Sequence, residues 1–553
     1  MFSIGDTLLN NPSMNIVYVI KNEDKLIKIS QLFSDIYPNI NYIKIPAWDC
    51  LPYDTASPSA RVTGERINSF IRLGSDVKPI QLILITINAL LQKNVPFKDF
   101  PKSVWQIKEY SKIILFDFTK NIINSGYRRS GTVMDIGEFA IRGGIVDIFT
   151  PNYSFPLRID LFGDEVESIK FFDPLTQISI KPINDVKILP ISEILLNEEN
   201  INLFKINYRN LFGINSLQDE LVQLISQGER PIGLEHWATL FHKKLETLFE
   251  ILDERYSFIL DSSFDEYSKM RFDDISDYYK SRDITYQEAK INKNIENCYK
   301  PVPVDSIYLN EKLLKKYLIN RAVLSISPFK NLNVKNNING VNVPNFWLNR
   351  HINSADILKE LINYIQKRID TDYKIIIACR SEGSRKILAE QLNKSDLYNI
   401  DFGSSWSKKV LINNKIVSLF ISNLEHGFQL EKIIVISETD IFGKIYSRKN
   451  KRKKLETAMQ EAEAFIAGDY LVHIEYGVGR YNGLKAVEIN NVKHDCLELS
   501  YFSEDKLLVP VQNINLLSKF GGKNSEARLD KLGSKTWINK KKKVKEKIRD
   551  VAE

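Results

Sequence analysis

Long hydrophobic runs are missing from this chain. None of its 553 residues lies in anything close to the roughly 18 consecutive apolar residues of a membrane helix, so no span is expected. Cysteine is scarce: Cys50, Cys298, Cys379 and Cys496 stand far apart, in no paired spacing. That excludes a Cys-x-x-Cys zinc site and a disulfide framework, and it fits a reducing cytoplasm. The histidines are scattered, and neither H-E-x-x-H nor G-x-S-x-G occurs. His473 and His494 read as local hydrogen-bonding residues. The start, "MFSIGDTLLNNPSMN", puts no basic region before an apolar core and does not read as a secretory signal.

The P-loop is absent too. Nucleoside triphosphate hydrolysis of that kind needs G-x-x-x-x-G-K-[ST]: amides around the phosphates, a lysine for the terminal ones, a hydroxyl for magnesium. Two decoys fail. "LGSKTW" (532–537) puts serine between glycine and lysine, and "FGGKNS" (520–525) follows its lysine with asparagine. "DERY" (253–256), read in a helical context, supplies no acidic Walker B partner. The sequence therefore predicts no catalytic residue, metal ligand or cofactor site in this chain.

What is present is globular composition, 43% hydrophobic and 26% charged. At roughly 100–200 residues per domain, the length allows three to five domains. The net charge of +7 equals the excess of twelve Lys/Arg over five Asp/Glu from Lys519 onward. A basic tail can be a nucleic-acid footprint or a solvated helix face.

The pattern predicts a multi-domain α/β and α+β protein. "MNIVYVI" (14–20) and "QLILIT" (81–86) suit buried parallel strands, with helical spacing at Leu26, Ile29, Leu32 and Phe33 between them. This α/β pattern covers 1–100. Short alternating strands with glycine turns follow over 101–190, then a mixed, helix-richer region over 191–315. A second α/β domain over 316–445 centres on "YKIIIACRSEGSRKILAEQL" (373–392). A basic linker over 446–464 precedes a run of short strands over 465–530, the size of an SH3-like or Tudor-like β-barrel. From 531 to 553 a basic helix begins, with Ser534 as its N-cap and no stop signal, which reads as a helix cut short.

Residues 126–151, "GYRRSGTVMDIGEFAIRGGIVDIFTP", combine strand formers with Arg128, Arg129, Arg142 and the pair Gly143-Gly144. No helix follows to offer a phosphate its N-terminus, so the glycines read as a turn. In "LRIDLFGDEVESIKFF" (157–172), Leu157, Ile159 and Leu161 alternate with Arg158, Asp160 and Phe162 around Gly163-Asp164. That is a hairpin with one packed face and one charged face. Such a face suits a protein carboxylate or DNA.

"GEFAIRGGIVDIFTP…LRIDLFGDEVESIKFFDPLTQ" resembles the domain through which the excision-repair helicase UvrB and the bacterial transcription-repair coupling factors contact the damage sensor UvrA. "PAWDCLPYDTASPSARVTGERINSFIRL" (46–73) resembles the first-domain signature of the same two families. "GDYLVHIEYGVGRYNGL…HDCLELSYFSEDKLLVPV" is similar to the RNA-polymerase-interacting domain of the coupling factors, which UvrB lacks. The resemblance implies a degenerate, non-hydrolysing helicase-like domain carrying the antiparallel module as an insertion. It implies UvrA and the polymerase β subunit as partners, with double-stranded DNA, ATP and magnesium belonging to motor domains outside this chain. It assigns Arg142 to UvrA, with Arg128, Glu138 and Phe149 as neighbouring candidates. "CLELSY" becomes the edge strand for polymerase, with Leu497 and Leu499 as contacts and Lys506, Leu508 and Pro510 beside it. Against that, alternate residues on one strand share a face, so both leucines can equally be core. A cytoplasmic monomer is the simplest expectation. The competing readings are a stand-alone polymerase-binding regulator and a UvrB-like helicase.

Overall fold

The computed structural model describes residues 2–74, 79–292, 298–327, 338–348, 354–393, 399–402, 416–443, 467–473, 477–489, 492–502, 505–510, 517–519 and 529. The chain forms two compact units, Met1–Ile441 and Phe442–Glu553. The basic linker and the C-terminal helix expected from the sequence lie outside the described residues.

The first unit opens on a five-stranded sheet whose described pairings are all parallel. Its strands are β1 (Asn15–Ile20), β2 (Tyr42–Ile45), β3 (Leu82–Thr86), β12 (Tyr256–Asp261) and β13 (Val323–Ile326), in the order β13-β12-β1-β3-β2. β3 is buried along its whole length, as a central parallel strand covered on both faces must be. Helix α1 (Phe2–Asn10) precedes β1 and α2 (Glu23–Ile36) follows it. The Asn22 side chain caps α2 by accepting from the Lys25 amide, and Glu23 and Asp24 favour its positive end. Leu26, Ile29 and Phe33 bury the face their spacing predicts.

Helix α3 (Ala60–Leu73) runs beside β2, and Arg66, Ser69 and Arg72 project at three-residue steps toward the outer edge of the strand. They donate in turn to the carbonyls of Pro46 (2.7 Å), Lys44 (2.7 Å) and Tyr42 (3.0 Å). Arg66 is fully buried and pairs with buried Glu193, which also accepts from the Trp48 indole.

Two expectations change. β13 belongs to the first sheet, so that domain reaches past 315; its pairing with β12 is long-range, whereas the break had been placed by local pattern. Asp253 and Glu254 lie in the loop that leads into β12, not in a helix.

Between β3 and β12 the chain builds the expected antiparallel module. β4 (Trp105–Lys108) and β11 (Asp185–Ile188) pair where the chain enters and leaves it. Between them lie α4 (Leu115–Asn124) and a six-stranded sheet: β5 (Arg128–Arg129), β6 (Glu138–Arg142), β7 (Ile145–Ile148), β8 (Leu157–Phe162), β9 (Glu165–Phe172) and β10 (Ser179–Pro182). Only the short β5–β6 pairing in this sheet is parallel. Gly143 and Gly144 form the β6–β7 turn, with Gly143 at φ 59° and a Cβ on Gly144 falling 2.6 Å from the Leu161 carbonyl oxygen. Helix α4 was not foreseen.

The second α/β sheet of this unit has the order β14-β18-β19-β15-β17-β16. Its strands are β14 (Val341–Asn342), β15 (Lys374–Cys379), β16 (Asn399–Phe402), β17 (Ile416–Ile421), β18 (Phe428–Leu430) and β19 (Ile433–Ser437). β15 passes through a tight turn into α5 (Glu382–Asn393), the strand-turn-helix expected from the sequence. α1 and α2 pack on this sheet: Phe2 lies 4.4 Å from Phe428, and Phe33 shares a core with Ile376 and Phe420.

The second unit contains an antiparallel five-stranded sheet, β20 (Tyr470–His473), β21 (Gly477–Ile489), β22 (Val492–Ser500), β23 (Lys506–Pro510) and β24 (Leu517–Lys519). Its described pairings run β23-β22-β21-β20-β24. Among the described residues no helix is long and apolar enough to cross a membrane.

Candidate docking surfaces

The module sheet has one face sealed by α4, where Phe118 and Ile122 pack with Phe139, Val146, Ile159 and Ile169. Alternation turns Ala140, Arg142, Ile145, Asp147, Arg158, Asp160 and Phe162 the other way. Register sets Asp147 opposite Ala140 and Arg158, and Ile145 opposite Arg142 and Asp160.

Asp147 is the hub of this face, only 1% exposed. Its carboxylate accepts from Arg158 Nε and Nη2 at 2.7 and 3.0 Å and from Arg142 Nη2 at 3.2 Å. Those bonds outweigh burial and raise the Arg158 pKa. Arg158 also donates to the Gln177 carbonyl at 3.1 Å and lies 4.6 Å above the Phe172 ring. Arg142 is held by one nitrogen and is half exposed. Beside it, Asp160 accepts from Ser168 (2.6 Å) and Lys170 (3.0 Å). Burial works against the Asp160 charge, but these donors win and keep its pKa low. Phe162 ends the row at 83% exposure.

At the other end Glu138 accepts from Arg128 (2.9 Å) and from the amides of Met134 (3.0 Å) and Asp135 (3.1 Å). Burial opposes its charge; the three donors together lower its pKa. Glu138 therefore shapes a turn and holds the exposed Arg128. Phe149, expected among the contacts, is buried with Val133, Ala140 and Phe172. Its side chain supports the face and is not available to a partner.

In the second unit, "CLELSY" is not an edge. β22 is paired on one side by β21 and on the other by β23. Leu497 and Leu499 are completely buried with Leu471, Tyr481 and Val509, so the two side chains expected to reach a partner form the core. Among the described pairings β23 is one end of the sheet, joined to β22 alone, and β24 is the other. Lys506 and Leu508 lie on the outer face of β23, opposite Ser500 and Glu498. Pro510 ends the strand opposite Cys496. Glu498 takes Lys506 at 2.9 Å and Lys485 at 3.1 Å, a cation from each neighbouring strand. Lys506 first, then Lys485 and Asn482, pull its pKa down to about 2. Leu508 beside this ladder is 40% exposed.

Asp147, Arg158 and Phe162 are functional candidates that residue-by-residue reasoning missed. The alternation in "LRIDLF" placed Arg158 and Phe162 on the charged face, but only cross-strand register joins Arg158 to Asp147. Among the described residues no His/Cys/Asp/Glu group could hold a metal. Burial pushes the Cys50 and Cys379 thiols up to about 12, so neither supplies a thiolate.

Comparison with known families bears on both surfaces. Residues 106–194 match the UvrB interaction domain, 369–441 the MFD, D3 domain, and 465–521 the CarD-like/TRCF RID domain. The chain is 29% identical to the transcription-repair-coupling factor of Haemophilus influenzae, over 98% of this chain and 46% of the relative. It is 28% identical to that of Rickettsia prowazekii, over 100% of this chain and 47% of the relative. Against the Escherichia coli factor identity is 26%, over 91% of this chain and 43% of the relative. The chain thus spans about half the length of the curated relatives it matches. Three domain models met in order, and similarity running through the whole chain, identify it as the counterpart of the N-terminal half of the transcription-repair-coupling factors.

Proposed function

We propose that the chain is the adaptor part of a transcription-coupled DNA-repair factor. The second-unit sheet holds RNA polymerase stalled at a lesion, through the β subunit, and the module recruits UvrA to the same place. Arg142 is the central UvrA contact, held ready by Asp147, with Phe162 beside it and Arg128, fixed by Glu138, farther along the sheet. A half-exposed guanidinium with nitrogens to spare suits a carboxylate on the partner, and Phe162 adds apolar area. For polymerase, β23 offers backbone groups to an incoming strand, with Lys506, Leu508 and Pro510 giving side-chain specificity. ATP-driven movement on double-stranded DNA is assigned to the part of the whole protein outside this chain.

The observation that carries this reading is that one chain combines the Arg142–Asp147–Arg158 face with β23, paired among the described residues by β22 alone, in domains similar to a UvrB interaction domain and a polymerase-interacting domain. The test is co-precipitation of the purified chain with UvrA and, separately, with the polymerase β subunit. Both are expected to bind, Arg142→Glu losing UvrA alone and Leu508→Arg losing polymerase alone. Wild-type protein that ignores both partners would falsify the proposal.

A further inference from the structure

We propose that Tyr110, Ile114 and Phe116, at the tip of the inserted module, form a second contact surface that takes a basic, apolar-faced segment of the partner that meets Arg142. This rests on the reading of the Arg142 face given above. The three side chains are 74%, 59% and 77% exposed. The loop that carries Tyr110 and leads through Ile114 into α4 is tied to the β8–β9 hairpin: the Tyr110 amide donates to the Val166 carbonyl (2.8 Å), the Val166 amide to the Ser111 carbonyl (2.9 Å) and the Ile113 amide to the Asp164 carbonyl (2.7 Å). Lys112 stands opposite Glu165, and Glu165 opposite Phe162. The loop that carries Tyr110 therefore borders the sheet at its Phe162 end, and Phe116 follows it in the first turn of α4.

Tyr110 also sits where folding alone would not put it. Its φ is 64°, the left-handed region that disfavours bulky side chains and favours glycine or asparagine. Tyr53 has a similar φ of 57°, but its ring is 1% exposed and its hydroxyl donates to the Val302 carbonyl at 3.1 Å. Packing offsets the strain there. Exposed Tyr110 has no such packing. An unfavourable backbone kept under a solvent-facing aromatic points to use outside the chain.

The charge around the tip identifies what it takes. Asp117, Asp164, Glu165 and Glu167 are exposed here, with Lys112 among them. Aromatic ring faces rimmed by carboxylates attract arginine and lysine beside apolar groups. The Arg142 end attracts the opposite charge. A partner gripped at both points is held in one orientation only.

The experiment titrates UvrA into the full chain calorimetrically. Phe116→Ser is expected to weaken binding about tenfold, as loss of a buried aromatic anchor does. Tyr110→Gly is expected to weaken binding while the unfolding temperature holds or rises, a pairing of effects that a purely structural tyrosine would not give. Asp164→Lys should weaken it as well. If Phe116→Ser and Tyr110→Gly bind like wild type while Arg142→Glu loses UvrA, the tip surface is overturned and the Arg142 reading stands. If Arg142→Glu binds normally and the tip variants are weakened, the Arg142 reading fails and the tip is kept.

Discussion

Asp147 and Arg158 face each other across β7 and β8, and the aspartate accepts two nitrogens of the guanidinium side-on, at 2.7 and 3.0 Å. The same carboxylate steadies Arg142, so one buried acid sets the direction of two arginines. Asp147→Asn keeps the shape and removes the charge. It is expected to lower stability by about 2 kcal/mol, the scale of a hydrogen bond to a charged group, and to weaken UvrA binding by loosening Arg142. Urea unfolding and a UvrA titration on the same preparation measure the two effects.

Phe162 tests the open face without disturbing the fold. At 83% exposure it adds nothing to the core, so Phe162→Ser should stay within about 0.5 kcal/mol of wild type in stability. UvrA affinity should fall about tenfold. Unchanged affinity would remove Phe162 from the surface.

In the second-unit sheet, two leucines should behave in opposite ways. Leu499 is fully buried, and Leu499→Arg forces a charge into an apolar core, so its circular dichroism should show lost strand structure. Leu508 is 40% exposed on the edge strand, and Leu508→Arg should keep the native spectrum while losing polymerase. Retained polymerase binding by a folded Leu508→Arg variant would move the site off β23.

Glu498 predicts a pH dependence of known sign. Its folded pKa is depressed to about 2 from an ordinary 4.5, so its stabilisation is fully present above about 4.5 and drains away as pH falls toward 2. Acid unfolding of this module should be steeper for wild type than for Glu498→Gln across that window. Identical acid limbs would mean that the Lys506 and Lys485 bonds contribute nothing in solution.

Arg66 and Glu193 join α3 to the segment leaving the inserted module. Both are buried, so Arg66→Ala strands an unpaired carboxylate and is expected to cost about 3–5 kcal/mol. Replacing both at once by Met and Leu should recover most of the loss. A double variant no better than the single one would show that the pair supplies more than charge balance.

Periodicity carried much of this architecture. The apolar runs at 14–20 and 81–86 became β1 and β3, and the helix between them followed from the spacing of Leu26, Ile29, Leu32 and Phe33. Gly143-Gly144 and Gly163-Asp164 each marked a turn correctly, because left-handed or crowded backbone needs particular residues. What stayed hidden is non-local. β13 joins β12 from 65 residues away along the chain, Val323 standing opposite Phe258, across helices that gave no hint of it, since parallel pairing leaves no local trace. At the candidate surfaces, the resemblance of its motif singled out Arg142, but its tether to Asp147 and the placement of Arg158 needed strand register. Leu497 and Leu499 were misplaced because alternation says that two residues share a face without saying which face is inside.

The row of donors from α3 has a consequence for how the first sheet meets the world. With Arg66, Ser69 and Arg72 spent on the carbonyls of Pro46, Lys44 and Tyr42, those three acceptors of the β2 border are no longer offered to a foreign strand. At the opposite border, Val323 and Leu324 of β13 stand 43% and 61% exposed. Among the described residues β13 is therefore the less guarded border of this sheet, and misassembly of a partly unfolded or overcrowded chain should begin there.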